Sequence, residues 1–65
     1  MFSKRLYELR TSANLTQLQL AQKLEVSKQN VSDWENGKSE TSFSTLIRIA
    51  KLFNVSTDYI LGLEE

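Results

Sequence analysis

Apolar residues recur along the chain at helical spacing, and one local form appears four times. Phe2-Ser3-x-x-x-Tyr7, Leu15-Thr16-x-x-x-Leu20, Val26-Ser27-x-x-x-Val31 and Val55-Ser56-x-x-x-Ile60 each set an apolar residue before Ser or Thr and another four positions after it. A hydroxyl at an N-cap accepts from a backbone N–H that the first helical turn leaves without a partner. The flanking apolar residues can close over that turn as a hydrophobic staple. At Thr16 the signal is strongest, because Gln19 completes a capping box. A further start lies at Ser42, where Thr41 replaces the apolar member.

Helix ends agree with these starts. "LEVS" (24–27) and "FNVS" (53–56) each place a polar residue, then Val, then the next cap, as a left-handed helix end followed by a hydrophobic contact reads. Asn54 suits the left-handed conformation, whereas Glu25 would carry strain of roughly 1 kcal/mol there. Gly37 and Gly62 end two other helices at low cost. The pattern predicts helices at about 3–12, 16–24, 27–36, 43–53 and 56–61. With no strand alternation, linker or low-complexity tract, the expectation is a single all-α domain over 1–65.

The 3.6-residue period assigns core faces. Leu6, Leu9 and Ala13 form one stripe, and Leu20, Ala21 and Leu24 another. Phe43, Leu46, Ile47, Ile49, Ala50 and Phe53 form a broad one, which makes the fourth helix the expected centre of the core. Val55, Tyr59 and Ile60 close the bottom. The short joint at 24–27 forces the second and third helices to cross steeply, a helix-turn-helix over about 16–36.

"SKQNVSDWENGK" (27–38) breaks the trend. Val31 and Trp34 define its inward side at 100° per residue. Gln29, Ser32, Asp33 and Asn36 then point outward, flanked by Lys28 and Asn30. Glu35 falls on the inward edge, where a carboxylate needs a partner. Most exposed helix faces are polar and do nothing, but those favour Glu–Lys pairs, and this one carries amides and a hydroxyl. Such groups can read base edges: Gln bidentate to adenine, Lys to guanine, Asp accepting from cytosine. The residues alone leave both readings open.

Composition narrows the chemistry. The 65 residues hold no Cys and no His, so disulfides, thiolate sites and imidazole catalysis are excluded. No nucleophile–base pair or metal constellation is present; the expectation is a non-enzyme without metal, cofactor or small-molecule site. No apolar run reaches membrane-spanning length, and "MFSKRLYELR" lacks the apolar stretch of a signal peptide. A cytoplasmic, nucleoid-associated protein with no membrane partner is expected. Eight basic residues balance eight acidic ones, which counts mildly against strong non-specific nucleic-acid affinity. Six of the basic and four of the acidic residues lie within 1–38, so an anionic partner would meet that part.

"LTQLQLAQKLEVSKQNVSDWENGK" (15–38) and "LIRIAKLFNVSTDYILG" (46–62) resemble the Cro/lambda-repressor-like helix-turn-helix family of prokaryotic and phage regulators. The resemblance covers nearly the whole chain. Its motifs are T-Q-x-x-L-A at the second helix, S-x-x-x-V-S-x-W-E-x-G-K, and I-A-K-x-F-x-V-S-x-D-Y-I-L-G. It implies five helices, with the third in the DNA major groove. By match to the family's positions, Lys28, Gln29, Ser32 and Asp33 would read bases. Gln17 would hold a phosphate at the second helix's N-terminus, where N–H groups and the helix dipole favour an anion. Gln22, Asn30, Asn36 and Lys38 would touch phosphates or support those contacts. Arg10 and Glu35 match a structural ion pair of some members, which gives Glu35 its partner. Trp34 is read as packing, and Tyr59 as core or dimer surface. The chain departs from the family at Glu25, where Gly is common, and at Glu40 and Thr41, where many members have a basic residue or Pro. An acidic Glu40 near phosphate would weaken binding.

The function expected from this resemblance is a phage or bacterial transcriptional repressor, binding a two-fold double-stranded DNA operator as a homodimer. A protein-interaction module on the same fold, antitoxin-like and with weak DNA binding, is the alternative, favoured by the neutral charge and Glu40.

Overall fold

Four hydroxyl caps set the helix starts. In the computed structural model, which describes residues 2–63, the elements are α1 Phe2–Ser12, α2 Gln17–Leu24, α3 Lys28–Glu35, α4 Phe43–Phe53 and α5 Thr57–Leu61. No strand occurs among the described residues. The side chains of Thr16, Ser27, Ser42 and Ser56 accept from the backbone N–H of Gln19, Asn30, Thr45 and Tyr59. At Thr16 both arms of the capping box form, at 3.0 Å and 2.8 Å. The fourth copy of the pattern behaves differently. Ser3 lies inside the first turn of α1 rather than capping it. Phe2, the apolar residue before it, is itself helical and sets its ring edge-on to Trp34, centroids 6.5 Å apart.

One device ends all five helices. Asn14, Glu25, Gly37, Asn54 and Gly62 are the described residues with positive φ, between 56° and 80°. Each follows one helix and turns the chain so that the next N–H reaches back five residues. Leu15 donates to the Arg10 carbonyl at 3.1 Å, Val26 to Ala21 at 3.0 Å, and Lys38 to Asp33 at 2.9 Å. Val55 donates to Ala50 at 3.0 Å, and Leu63 to Asp58 at 2.8 Å. Leu15, Val26 and Val55 therefore each close one helix and precede the cap of the next, partly buried against the core. The joint between α2 and α3 needs only residues 25–27.

The core is built from one or a few residues of each helix. Leu6, Leu20, Leu24, Val31, Ile49 and Ile60 are essentially inaccessible, with Ala21, Trp34, Leu46 and Ala50 around them. Leu9, Phe53, Val55 and Tyr59 pack partly buried against this set. Three expectations fail here. Ala13 is exposed, because α1 ends at Ser12 and its stripe stops at Leu9. Phe43 is 87% exposed and Ile47 47% exposed. They lie on the flank of α4 beside the buried line of Leu46, Ile49 and Ala50. With three buried residues each, α4 is no more central than α2.

An ion pair ties α1 to the end of α3. Arg10 Nε donates to Glu35 Oε2 at 2.6 Å and Nη2 donates to Oε1 at 3.0 Å, a bidentate pair. Arg10 Nη1 donates to the Leu15 carbonyl at 2.8 Å, which fixes the α1–α2 joint to the same group. Only 11% of the Arg10 side chain and 4% of the Glu35 side chain are exposed. The hydrogen bonds that Arg10 donates to Glu35 raise the Arg10 pKa above its ordinary value, against the opposing effect of burial, so the guanidinium stays charged. Arg10→Met removes the cation and leaves Glu35 buried without it. That variant is expected to lose roughly 3 kcal/mol or more of stability, as abandoned buried charges do. Urea unfolding of both proteins measures the loss, and an unchanged midpoint would show that the pair contributes nothing.

Glu25 sits at φ 59° and ψ 42°, in the region where a Cβ crowds the following carbonyl. Its side chain is exposed, so truncating it removes strain without removing packing. Glu25→Gly is expected to stabilise the protein by about 1 kcal/mol, seen as a higher unfolding midpoint; a lower one contradicts the strain.

Candidate nucleic-acid interface

Two inward residues and one ion pair orient α3. Val31 and Trp34 are buried, and Glu35 is held by Arg10. The remaining positions of the helix are left to solvent or to each other. Lys28, Gln29, Asn30 and Asn36 are exposed, and Ser32 and Asp33 are half-buried. The chain folds back beside these last two, where Lys38 N–H meets the Asp33 carbonyl.

Two hydrogen bonds organise this outward side. Gln29 Nε2 donates to Asp33 Oδ1 at 2.8 Å, and Asn36 Nδ2 donates to Ser32 Oγ at 3.3 Å. Both span one helical turn, the spacing at which side chains on a helix meet. Neither was foreseen, although their i,i+4 spacing in the sequence was a usable signal. Asn30 contributes its backbone N–H to the Ser27 cap, and its side chain remains available.

Gln17, in the first turn of α2, is half-buried, and its Nε2 donates to Glu35 Oε1 at 3.1 Å. Eighteen residues separate the two, so no local pattern in the sequence announced the contact. It connects the N-terminus of α2 to the end of α3 through the carboxylate that Arg10 neutralises. One Nε2 hydrogen and the amide oxygen of Gln17 stay free to act. Gln22 is exposed on α2, and Lys28 and Lys38 are exposed cations without an ion pair among the described residues. Of the positions singled out from the sequence, the structure thus joins Gln17, Arg10 and Glu35, couples Gln29 with Asp33 and Ser32 with Asn36, and leaves Lys28, Asn30, Gln22 and Lys38 exposed.

Trp34 is 6% exposed and faces Phe2, so it packs rather than stacks on a ligand. Tyr59 lies beneath Arg5, whose guanidinium carbon is 4.4 Å from the ring centroid. Among the described residues no group of acidic, His or Cys side chains could hold a metal ion, and no helix is long and apolar enough to cross a membrane.

Comparison with known proteins adds the lineage. Residues 6–60 match a family profile described as helix-turn-helix. The chain is 45% identical over 64 residues to the HTH-type transcriptional activator BcrR of Enterococcus faecalis, covering 98% of this chain and 31% of that protein. It is 42% identical over 62 residues to the HTH-type transcriptional regulator ImmR of Bacillus subtilis, covering 95% and 49%. The chain therefore spans about a third to a half of the length of these relatives. Among solved structures, the DNA-binding domain of the P22 c2 repressor superposes with a TM-score of 0.86 at 26% identity, over 94% of this chain and 80% of that one. The arrangement of five capped helices and the matches over nearly its whole length agree: the chain belongs to the lambda-repressor-like helix-turn-helix family of DNA-binding transcriptional regulators.

Proposed function

We propose that two copies of this domain bind a two-fold operator in double-stranded DNA, each laying α3 in the major groove, and thereby repress transcription. The observation that carries the reading is the Gln17–Glu35–Arg10 network. It holds the N-terminus of α2 and the outward side of α3 in one fixed relation, as simultaneous contact with a phosphate and with base edges requires. Lys28, Gln29 and Ser32 are the base-reading side chains, and Asp33 stands on the same face, hydrogen-bonded to Gln29. Gln17, Gln22, Asn30, Asn36 and Lys38 serve the phosphates. Repression follows from occupancy alone, because a bound dimer can block a promoter without a further contact. BcrR is described as an activator and the P22 protein as a repressor; a reporter with the operator overlapping its promoter separates the two outcomes.

The second copy meets the first through α4 and the end of α5. Phe43 is 87% exposed and Leu61 41%, and both line a cleft of about 170 Å³ with Phe2, Thr41 and Leu46, with Glu40 at its polar edge. Ile47, one turn from Phe43, is 47% exposed. Apolar groups left together on a small surface mark an interaction site, and a two-fold axis lets one patch pair with itself. Half-sites one helical turn apart then match the symmetry of the protein. Phe43→Ser is expected to abolish cooperative binding to paired half-sites while leaving binding to one half-site unchanged. Titration of duplexes carrying one or two half-sites measures this, and cooperativity that survives the change removes the patch from the interface.

Phosphate contacts and charge neutralisation can be told apart. Gln17→Ala is expected to weaken binding to all duplexes about equally, with the salt dependence unchanged, because a neutral amide releases no counterion. Lys38→Ala is expected to lower the slope of log affinity against log salt by about one. Fluorescence anisotropy over a salt series reads both. The zero net charge and the exposed Glu40 favour the competing reading, a module that binds a protein partner. If neither variant binds any duplex differently from the unmodified domain, that reading replaces this one.

A further inference from the structure

The Gln29–Asp33 hydrogen bond decides which base the helix can accept. A carboxylate only accepts, so it fixes which end of the Gln29 amide faces it: Nε2 points to Asp33 Oδ1, 2.8 Å away. One of the two Nε2 hydrogens is consumed. What remains for a ligand is one donor, the second Nε2 hydrogen, and one acceptor, Oε1. In the major groove adenine shows an acceptor at N7 and a donor at N6, whereas guanine shows two acceptors, N7 and O6. An unrestrained Gln could serve guanine by offering both amide hydrogens. The restrained one cannot, and O6 of guanine would also lie close to a carboxylate, acceptor against acceptor.

Asp33 is well placed for this task. It is half-buried while Gln29 is exposed, and its side chain is the shorter of the two, so the carboxylate is the more restricted member of the pair. No cation competes for it, since the ion pair among the described residues is Arg10–Glu35. Holding the amide before binding also removes part of the ordering cost that a free Gln side chain would meet on contact.

We infer that Asp33 is the positioning residue for Gln29, and that the pair selects adenine and rejects guanine at one base pair of each half-site. The inference rests on the proposed reading of DNA by α3 and names what that reading distinguishes. Acting through its hydrogen bond, Asp33 sets specificity without itself needing to touch the base.

The test begins with the operator selected by the unmodified domain from a random duplex pool. Competition binding at fixed salt then compares the four base pairs at each position for the unmodified domain, Gln29→Ala, Asp33→Ala and Asp33→Asn. Circular dichroism confirms that each variant retains its helices. Gln29→Ala is expected to flatten the preference at one position per half-site. At that same position Asp33→Ala is expected to reduce the adenine-to-guanine ratio roughly tenfold, mainly by admitting guanine. Asp33→Asn can turn either an oxygen or an NH2 toward Gln29, so it no longer fixes the amide and is expected to restore the ratio only in part, between Asp33→Ala and the unmodified domain. The inference is overturned if Asp33→Ala leaves the ratio at the Gln29 position unchanged. It is equally overturned if the loss falls on a separate base pair with cytosine preferred, which would make Asp33 a direct reader. If Gln29→Ala alters no preference while binding persists, the inference fails and the DNA-binding function stands. If the pool yields no bound duplex, both fail.

Discussion

The Arg10–Glu35 pair is the constraint on which the arrangement of the first three helices depends. Its guanidinium spans three elements at once: the end of α1 that carries it, the joint at Leu15, and the last turn of α3. Hydrophobic contacts alone are non-directional and would leave α3 free to rotate about the Val31–Trp34 side. A bidentate pair between planar groups removes that freedom, because its two hydrogen bonds hold only in one relative orientation. Burial sharpens the effect. Each charge removed from water depends on the other, so misplacing α3 costs far more than the loss of one surface contact. Gln17 extends the constraint to α2 by sharing the same carboxylate.

Local chemistry accounts for what could be read from the chain beforehand. Caps at Thr16, Ser27, Ser42 and Ser56 and left-handed ends at Glu25, Gly37, Asn54 and Gly62 are properties of a few adjacent residues, and the sequence displays them directly. The inward position of Glu35 followed from helical periodicity, and its partner from family resemblance. Failures arose where neighbours in space, not in sequence, decide. Periodicity placed Phe43 and Ile47 in the core, yet no described element covers that flank of α4. Ser3 carried the cap pattern, but the helix already includes Phe2, whose ring packs against Trp34. The Gln17–Glu35 contact joins residues with no common pattern at all.

Electrostatics shape how the outward side of α3 can work. The chain carries no net charge, and an acidic residue stands on α3 itself at Asp33. A surface of this kind gains little from long-range attraction to a polyanion. Hydrogen-bond geometry must therefore carry a larger share of any recognition than it does in strongly basic domains. The couplings Gln29–Asp33 and Ser32–Asn36 suit that demand, since both restrict amide groups before contact.

The way α3 divides its residues has an evolutionary consequence. Folding uses Val31, Trp34 and Glu35, together with the Ser27 cap and the left-handed Gly37. Positions 28, 29, 32 and 33 contribute nothing to the core. Mutations at the exposed 28 and 29 are nearly silent for stability, as surface substitutions usually are, and those at the half-buried 32 and 33 open no gap in the core. Drift can therefore explore those four positions without passing through unfolded intermediates, and the coupling of Gln29 to Asp33 means that two of them change most readily together. If α3 reads DNA as proposed, a lineage built on this scaffold can diversify its targets quickly while the fold itself stays still.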